Sequence, residues 1–88
     1  MFTGLKVINI MKRIQEEFEL PKVKIKKQHD LYKDLNFDEN GAVFATLLFY
    51  VEEKFGFELT DNEIQEAIEK VRTVKDLIRM VELHKKRK

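Results

Sequence analysis

Oxygen-bearing side chains crowd one short stretch, Asn36-Phe37-Asp38-Glu39-Asn40-Gly41. A calcium loop needs oxygen ligands at alternate positions, a glycine turn, and a bidentate glutamate at its twelfth position. Asn36, Asp38, Asn40, Gly41 and Val43 imitate positions one, three, five, six and eight of such a loop. Its ninth and twelfth positions fall on Phe44 and Leu47, which offer no side-chain oxygen, and its first is Asn rather than Asp. The strongest ligand is missing, so no metal site is expected and the stretch reads as a helix-capping turn. Other chemistries have fewer parts. The chain contains neither serine nor cysteine, which removes two common nucleophiles, disulfides and thiolate metal sites. His29 lies among lysines and His84 near the basic C-terminal end, too far apart in sequence to suggest a zinc site. Glu52, Glu53 and Glu58 read as solvated helix-end charges. Acid–base catalysis needs positioned groups with tuned pKa values, so no catalytic residue is assigned and no enzyme is expected. Gly4, Gly41 and Gly56 are isolated and form no phosphate cradle.

The elements that would hold these residues are helical. Between Leu5 and about Phe18, Val7, Ile10, Met11, Ile14 and Phe18 recur at spacings of three and four and predict one amphipathic helix, with Leu5 and Ile8 alongside. Pro21 ends it, because the residue before proline resists the helical region. Residues 19–41 form a long connection. Val23, Ile25, Leu31, Tyr32, Leu35 and Phe37 should pin it to the core, with a short helical turn at 30–35. Lys22, Lys24, Lys26 and Lys27 alternate with Val23 and Ile25, but no second strand is available, so the segment reads as extended loop.

A second helix is expected over 42–55, capped by Asp38 or Asn40. Phe44, Leu47, Leu48, Val51 and Phe55 share its core face. Ala42, Ala45, Thr46, Phe49 and Glu53 lie on the other side, with Val43 and Tyr50 flanking Phe49. Either a wrapping loop buries this helix on several sides, or the second face is an apolar contact patch. Gly56 ends it in the manner of a C-cap. Thr60-Asp61-Asn62-Glu63 has capping-box spacing before a short helix of Ile64, Ala67, Ile68 and Val71. Thr73-Val74-Lys75-Asp76 starts a last helix through Val74, Leu77, Ile78 and Val81, with Leu83 at its limit. Residues 84–88 read as a basic, frayed tail.

Eighty-eight residues and a 43% hydrophobic content bound this to one all-α domain with a modest core. The near-neutral net charge of +1 conceals a layout. Residues 1–33 carry eight Lys/Arg and four Asp/Glu; residues 34–69 carry ten Asp/Glu and Lys54 alone; residues 70–88 carry eight Lys/Arg and two Asp/Glu. Such asymmetry steers partners even without net charge. No secretion signal and no run of about 18 apolar residues is present, so a cytoplasmic protein with no membrane partner is expected.

The order of these elements and motifs, from about Val7 to Val81, resembles the acyl carrier protein family. Asp30-Leu-Tyr-Lys-Asp34-Leu35-Asn-Phe-Asp38 is similar to the stretch before that family's modified serine. Leu47-Leu-Phe-Tyr-Val-Glu-Glu-Lys-Phe-Gly-Phe-Glu-Leu59 is similar to its second helix and following turn, and Val71-Arg-Thr-Val-Lys-Asp-Leu-Ile78 to the start of its last helix. The resemblance implies a four-helix bundle with a long loop between helices 1 and 2, and a phosphopantetheine arm on a serine at the start of the second helix. Aligned from the loop, that serine falls at Glu39; aligned from the helix, at Gly41. Neither offers a hydroxyl, nor does Asn40, and Thr46 lies inside the helix. The family's usual small residue after the loop leucine is replaced by Asn36. Phosphopantetheine is therefore expected to be absent.

What the resemblance leaves is a degenerate carrier that serves as a protein-interaction module. Its contact residues would be Asp38, Glu39, Val43, Thr46, Phe49, Tyr50 and Glu53, and its partner a biosynthetic enzyme or a second copy of itself. A working acyl carrier in fatty-acid or polyketide-type biosynthesis is the alternative. Weak nucleic-acid binding is a third, requiring the lysine-rich loop and the C-terminal basic end to converge in one patch; otherwise those lysines are simply solvated.

Overall fold

Apolar spacing and four sets of end signals resolve into four helices: α1 (Thr3–Glu17), α2 (Ala42–Phe55), α3 (Asp61–Lys70) and α4 (Val74–Lys86). The computed structural model describes residues 3–37 and 41–86. The fold is all-α, with a long loop between α1 and α2. α1 packs on α2 and α4, and α2 packs on α4. α3 sits at the margin and buries Ala67, with Ile64 half-buried.

The helix ends follow local chemistry. In the capping box of α3, Glu63 N donates to Thr60 Oγ1 (3.1 Å) and Thr60 N donates to Glu63 Oε1 (3.0 Å). α4 repeats the arrangement: Asp76 N donates to Thr73 Oγ1, and Asp76 Oδ2 accepts from Thr73 N and Arg72 N, all at 3.1 Å. Both boxes satisfy amides that a helix start leaves without intrahelical partners. α2 ends at Gly56, whose φ of 74° suits a residue without a Cβ. Gly56 N and Phe57 N both donate to Glu52 O. α1 ends in the Schellman pattern, with Leu20 N donating to Gln15 O at 2.9 Å. Here the left-handed position is Glu19 (φ 53°), a strained place for a side chain.

Val7, Met11 and Ile14 form the buried stripe of α1, while Ile8 and Ile10 are half-buried. Leu5 and Phe18, expected on that stripe, are exposed, and Phe18 lies in the turn after the helix. Gln15 is buried although polar. Its Nε2 donates to Val23 O at 3.2 Å, which ties the loop to α1.

The long loop is held as expected by Ile25, Leu31, Leu35 and Phe37, all buried, and also by Leu20, which was not expected among its anchors. Val23 is exposed and Tyr32 half-buried. The helical turn expected at 30–35 is present, with Asp34 N donating to Asp30 O and Asn36 N to Tyr32 O. The loop does find a backbone partner, in the connection between α3 and α4. Leu31 N donates to Arg72 O (2.7 Å), Val74 N to His29 O (3.1 Å) and Lys75 N to Lys27 O (3.0 Å), around a single bridge pairing Asp30 with Thr73. A single bridge needs no strand periodicity, which is why the sequence shows none.

The C-terminal end corrects the expectation of a frayed tail at 84–88. α4 continues through Lys86. His84 is half-buried, with Nδ1 2.9 Å from Met80 O, Nε2 3.3 Å from Glu63 Oε2, and its ring stacked on Phe57. Lys85 Nζ donates to Thr3 Oγ1 at 2.8 Å. These tertiary partners tie His84 and Lys85 to the rest of the fold; Arg87 and Lys88 lie outside the described residues.

Candidate functional site

The turn before α2 is organised by two aspartates. Asp30 Oδ1 accepts from Lys33 N and Tyr32 N at 2.9 Å, and Asp34 Oδ2 accepts from Asp30 N at 2.7 Å. The Lys33 amide first, helped by the Tyr32 amide and the Arg72 and Lys33 charges, holds the Asp30 carboxyl below its usual range against the opposing effect of burial. Asn36 takes φ 59°, a left-handed conformation that asparagine tolerates better than most residues. Asp38, Glu39 and Asn40 lie outside the described residues, so the middle of the calcium-like stretch, the proposed α2 caps and two of the proposed contact residues are located only by sequence. Among the described residues no cluster of His, Cys, Asp or Glu could hold a metal ion.

Gly41 precedes α2 at φ 76°, exposed and without a side-chain cap bond. The threonine hydroxyls are committed elsewhere. Thr46 Oγ1 donates to Ala42 O at 2.9 Å, one turn inside the helix. Thr60 and Thr73 serve the capping boxes, and Thr3 is buried against Lys85. A phosphopantetheine arm needs a free hydroxyl at an accessible turn, and the residues at the start of α2 do not supply one. They do not fit that group.

α2 is buried along one side and leaves Phe49 open on another. Val43, Phe44, Leu47, Leu48 and Val51 are buried, under a loop whose Tyr32 ring sits 6.0 Å from the Phe44 ring. Val43 was expected on the contact face, and that is corrected: it is 1% exposed. Val43 lies one turn before Leu47 of the expected core face, and the burial of that face extends to it. Phe49 remains 53% exposed. It lines a shallow groove with Glu52, Glu53, Gly56, Phe57 and Glu58. Glu52 is partly committed, because its Oε2 accepts from Leu59 N at 2.7 Å and closes the turn after α2. Glu53 and Glu58 are exposed. Phe57 and Glu58 were not expected at this face. Phe57 reaches it because the chain reverses at Gly56, a signal present in the sequence but not tied there to Phe49.

Tyr50 is not a free contact residue. Its hydroxyl donates to Glu17 Oε1 at 2.6 Å, and Arg13, paired with Glu17 Oε2 at 3.2 Å, lies 4.4 Å over its ring. The hydrogen bond to Glu17 pushes the Tyr50 phenol above its ordinary range, and the same bond, with Arg13, draws the Glu17 carboxyl down. One lysine from each basic segment approaches the same turn of α1. Lys85 bonds Thr3, and a side chain on Gly4 would meet Lys27 Cε at 3.9 Å, so both lysines lie over the first turn of α1.

No described helix is long and apolar enough to cross a membrane. A scan against protein-family models finds no match for this chain, and neither the curated proteins nor the solved structures contain one.

Proposed function

We propose that this chain is a carrier-like helical domain that works as a protein-contact module, without a prosthetic group, through the face of α2 around Phe49. The observation that carries this reading is Phe49 itself, a large aromatic side chain left 53% exposed on an otherwise core-forming helix. Aromatic anchors dominate protein interfaces when they enter a pocket on the partner. Around it, Glu53 and Glu58 are exposed and Phe57 adds apolar surface. The fitting partner therefore offers an apolar pocket rimmed by cations, on a biosynthetic enzyme or a second copy of the chain. The carrier resemblance supports the reading through its element order, and the lack of a serine turns it from chemistry toward contact.

The test pairs capture of partners with solution mass for the wild type, Phe49→Glu and Glu53→Lys. Both variants should keep the wild-type melting temperature and lose the captured partner or the self-association. A strictly monomeric protein whose captured partners are unchanged by Phe49→Glu would sink the reading. Incubation with a phosphopantetheinyl transferase and coenzyme A, read by intact mass, separates it from a working acyl carrier: a mass increase of one arm would replace the contact module with the carrier.

The meeting of Lys27 and Lys85 over α1 supports a second reading, weak binding to nucleic-acid backbone. Titration of labelled duplex and single strands at low salt tests it, and no binding removes it.

A further inference from the structure

A groove of about 350 Å³ runs between α1 and α2, away from the buried core. Lys6, Asn9, Ile10 and Arg13 form one wall, a single stripe along α1. Tyr50, Glu53 and Lys54 of α2 form the other. The volume lies at the small end of the range for small-molecule sites.

Charge is unbalanced here, with three cations facing one carboxylate. Neither Lys6 nor Lys54 has an ion-pair partner among the described residues. Arg13 is held differently. Its Nε donates to Glu17 Oε2 (3.2 Å) while Tyr50 Oη donates to Glu17 Oε1 (2.6 Å), and the guanidinium stacks over the phenol ring. Glu17 thus orients both groups from outside the groove. The terminal amino groups of Arg13 have no protein acceptor among the described residues. A guanidinium fixed in this way presents a planar donor fork suited to phosphate oxygens.

We propose that this groove binds a small organic dianion of the phosphate-monoester class. The phosphate is taken by Lys6, Arg13 and Lys54; counted with Glu53 and the Glu17 carboxylate paired to Arg13, the groove keeps one net positive charge before the ligand enters. The body of the ligand lies against Ile10 and the Tyr50 ring. Asn9 and Glu53 remain for its hydroxyl or amino groups. Phe49 does not line this groove and Glu53 borders both surfaces, but neither reading requires the other.

The probe is phenyl phosphate, titrated into the full chain and followed by amide and methyl NMR shifts. Saturable shifts are expected at Ile10, Arg13 and Lys54, with a dissociation constant of about 1 mM for so small a ligand. Lys54→Gln and Lys6→Gln carry no intramolecular ion pair into the fold, so they remove charge without disturbing it. Each should weaken binding by about five- to tenfold. Arg13→Lys should weaken it comparably, because the fork is lost while the charge stays. Lys22→Gln, in the distant loop, should change binding by less than about twofold. Absence of saturation, shifts centred on the Lys22–Lys27 loop, or benzoate binding as tightly as phenyl phosphate would each overturn the assignment.

Discussion

Asp76 carries more of the fold than its place on a surface helix suggests. Its Oδ2 accepts from Thr73 N and Arg72 N while its own amide donates to Thr73 Oγ1, all at 3.1 Å. The connection it closes is the one that receives the long loop, through Leu31 N to Arg72 O and the bridge between Asp30 and Thr73. Asp76→Ala removes the acceptor of a reciprocal cap, worth about 1 kcal/mol. The Arg72 amide is exposed and regains water, but the Thr73 amide is partly buried, which adds about 0.5 kcal/mol. The expected loss is about 1.5 kcal/mol near pH 7, and about half that for Asp76→Asn, which keeps an acceptor oxygen without the charge. In urea, with a slope of about 1–1.5 kcal/mol per molar, the Ala variant should lose about 1–1.5 M of midpoint.

The pH dependence carries the sharper test. Burial alone would raise the Asp76 carboxyl, but the Arg72 and Thr73 amides, the Thr73 hydroxyl and the Arg79 charge outweigh it and hold the group low. A depressed carboxyl contributes stability that is present above its unfolded value of about 3.9 and lost as the pH falls through the folded value below it. The gap between wild type and Asp76→Ala should therefore be widest at neutral pH and narrow as acid protonates the native carboxylate. A gap that stays constant through the acid range, or one below about 0.3 kcal/mol at pH 7, would refute the reasoning.

Three further outcomes follow from single features. Val43→Ala should cost about 2 kcal/mol in chemical denaturation, for the lost methyl burial and the space left behind, whereas Phe49→Ser should stay within about 0.5 kcal/mol of wild type. Glu19→Gly should stabilise by about 0.5–1 kcal/mol, because relief of left-handed strain exceeds the added freedom of the unfolded chain; a loss of melting temperature would contradict the φ of 53°. Tyr50→Phe should return the Glu17 carboxyl toward its ordinary range in an NMR titration, since the phenol is the largest cause of its depression; an unchanged midpoint would show that the hydrogen bond does not form in solution.

What the chain determines by itself is local. The capping boxes at Thr60–Glu63 and Thr73–Asp76, the stop at Gly56 and the apolar stripe of Val7, Met11 and Ile14 each depend on residues three or four apart, so their spacing is enough to read them. The loop anchors were also legible, because large apolar residues in a connection have nowhere else to go. Side-chain exposure on α2 was not. Val43 and Phe49 are both apolar and both off the main stripe; only the tertiary packing around α2 decides that one is covered and the other left open. Tyr50 binds Glu17 from 33 positions away and Lys85 binds Thr3 from 82, and no periodicity encodes either pair. The open surface around Phe49 and the groove between α1 and α2 both belong to that second class. They are made of neighbours in space, and the sequence specifies them only through the packing that brings α1, α2 and the long loop together.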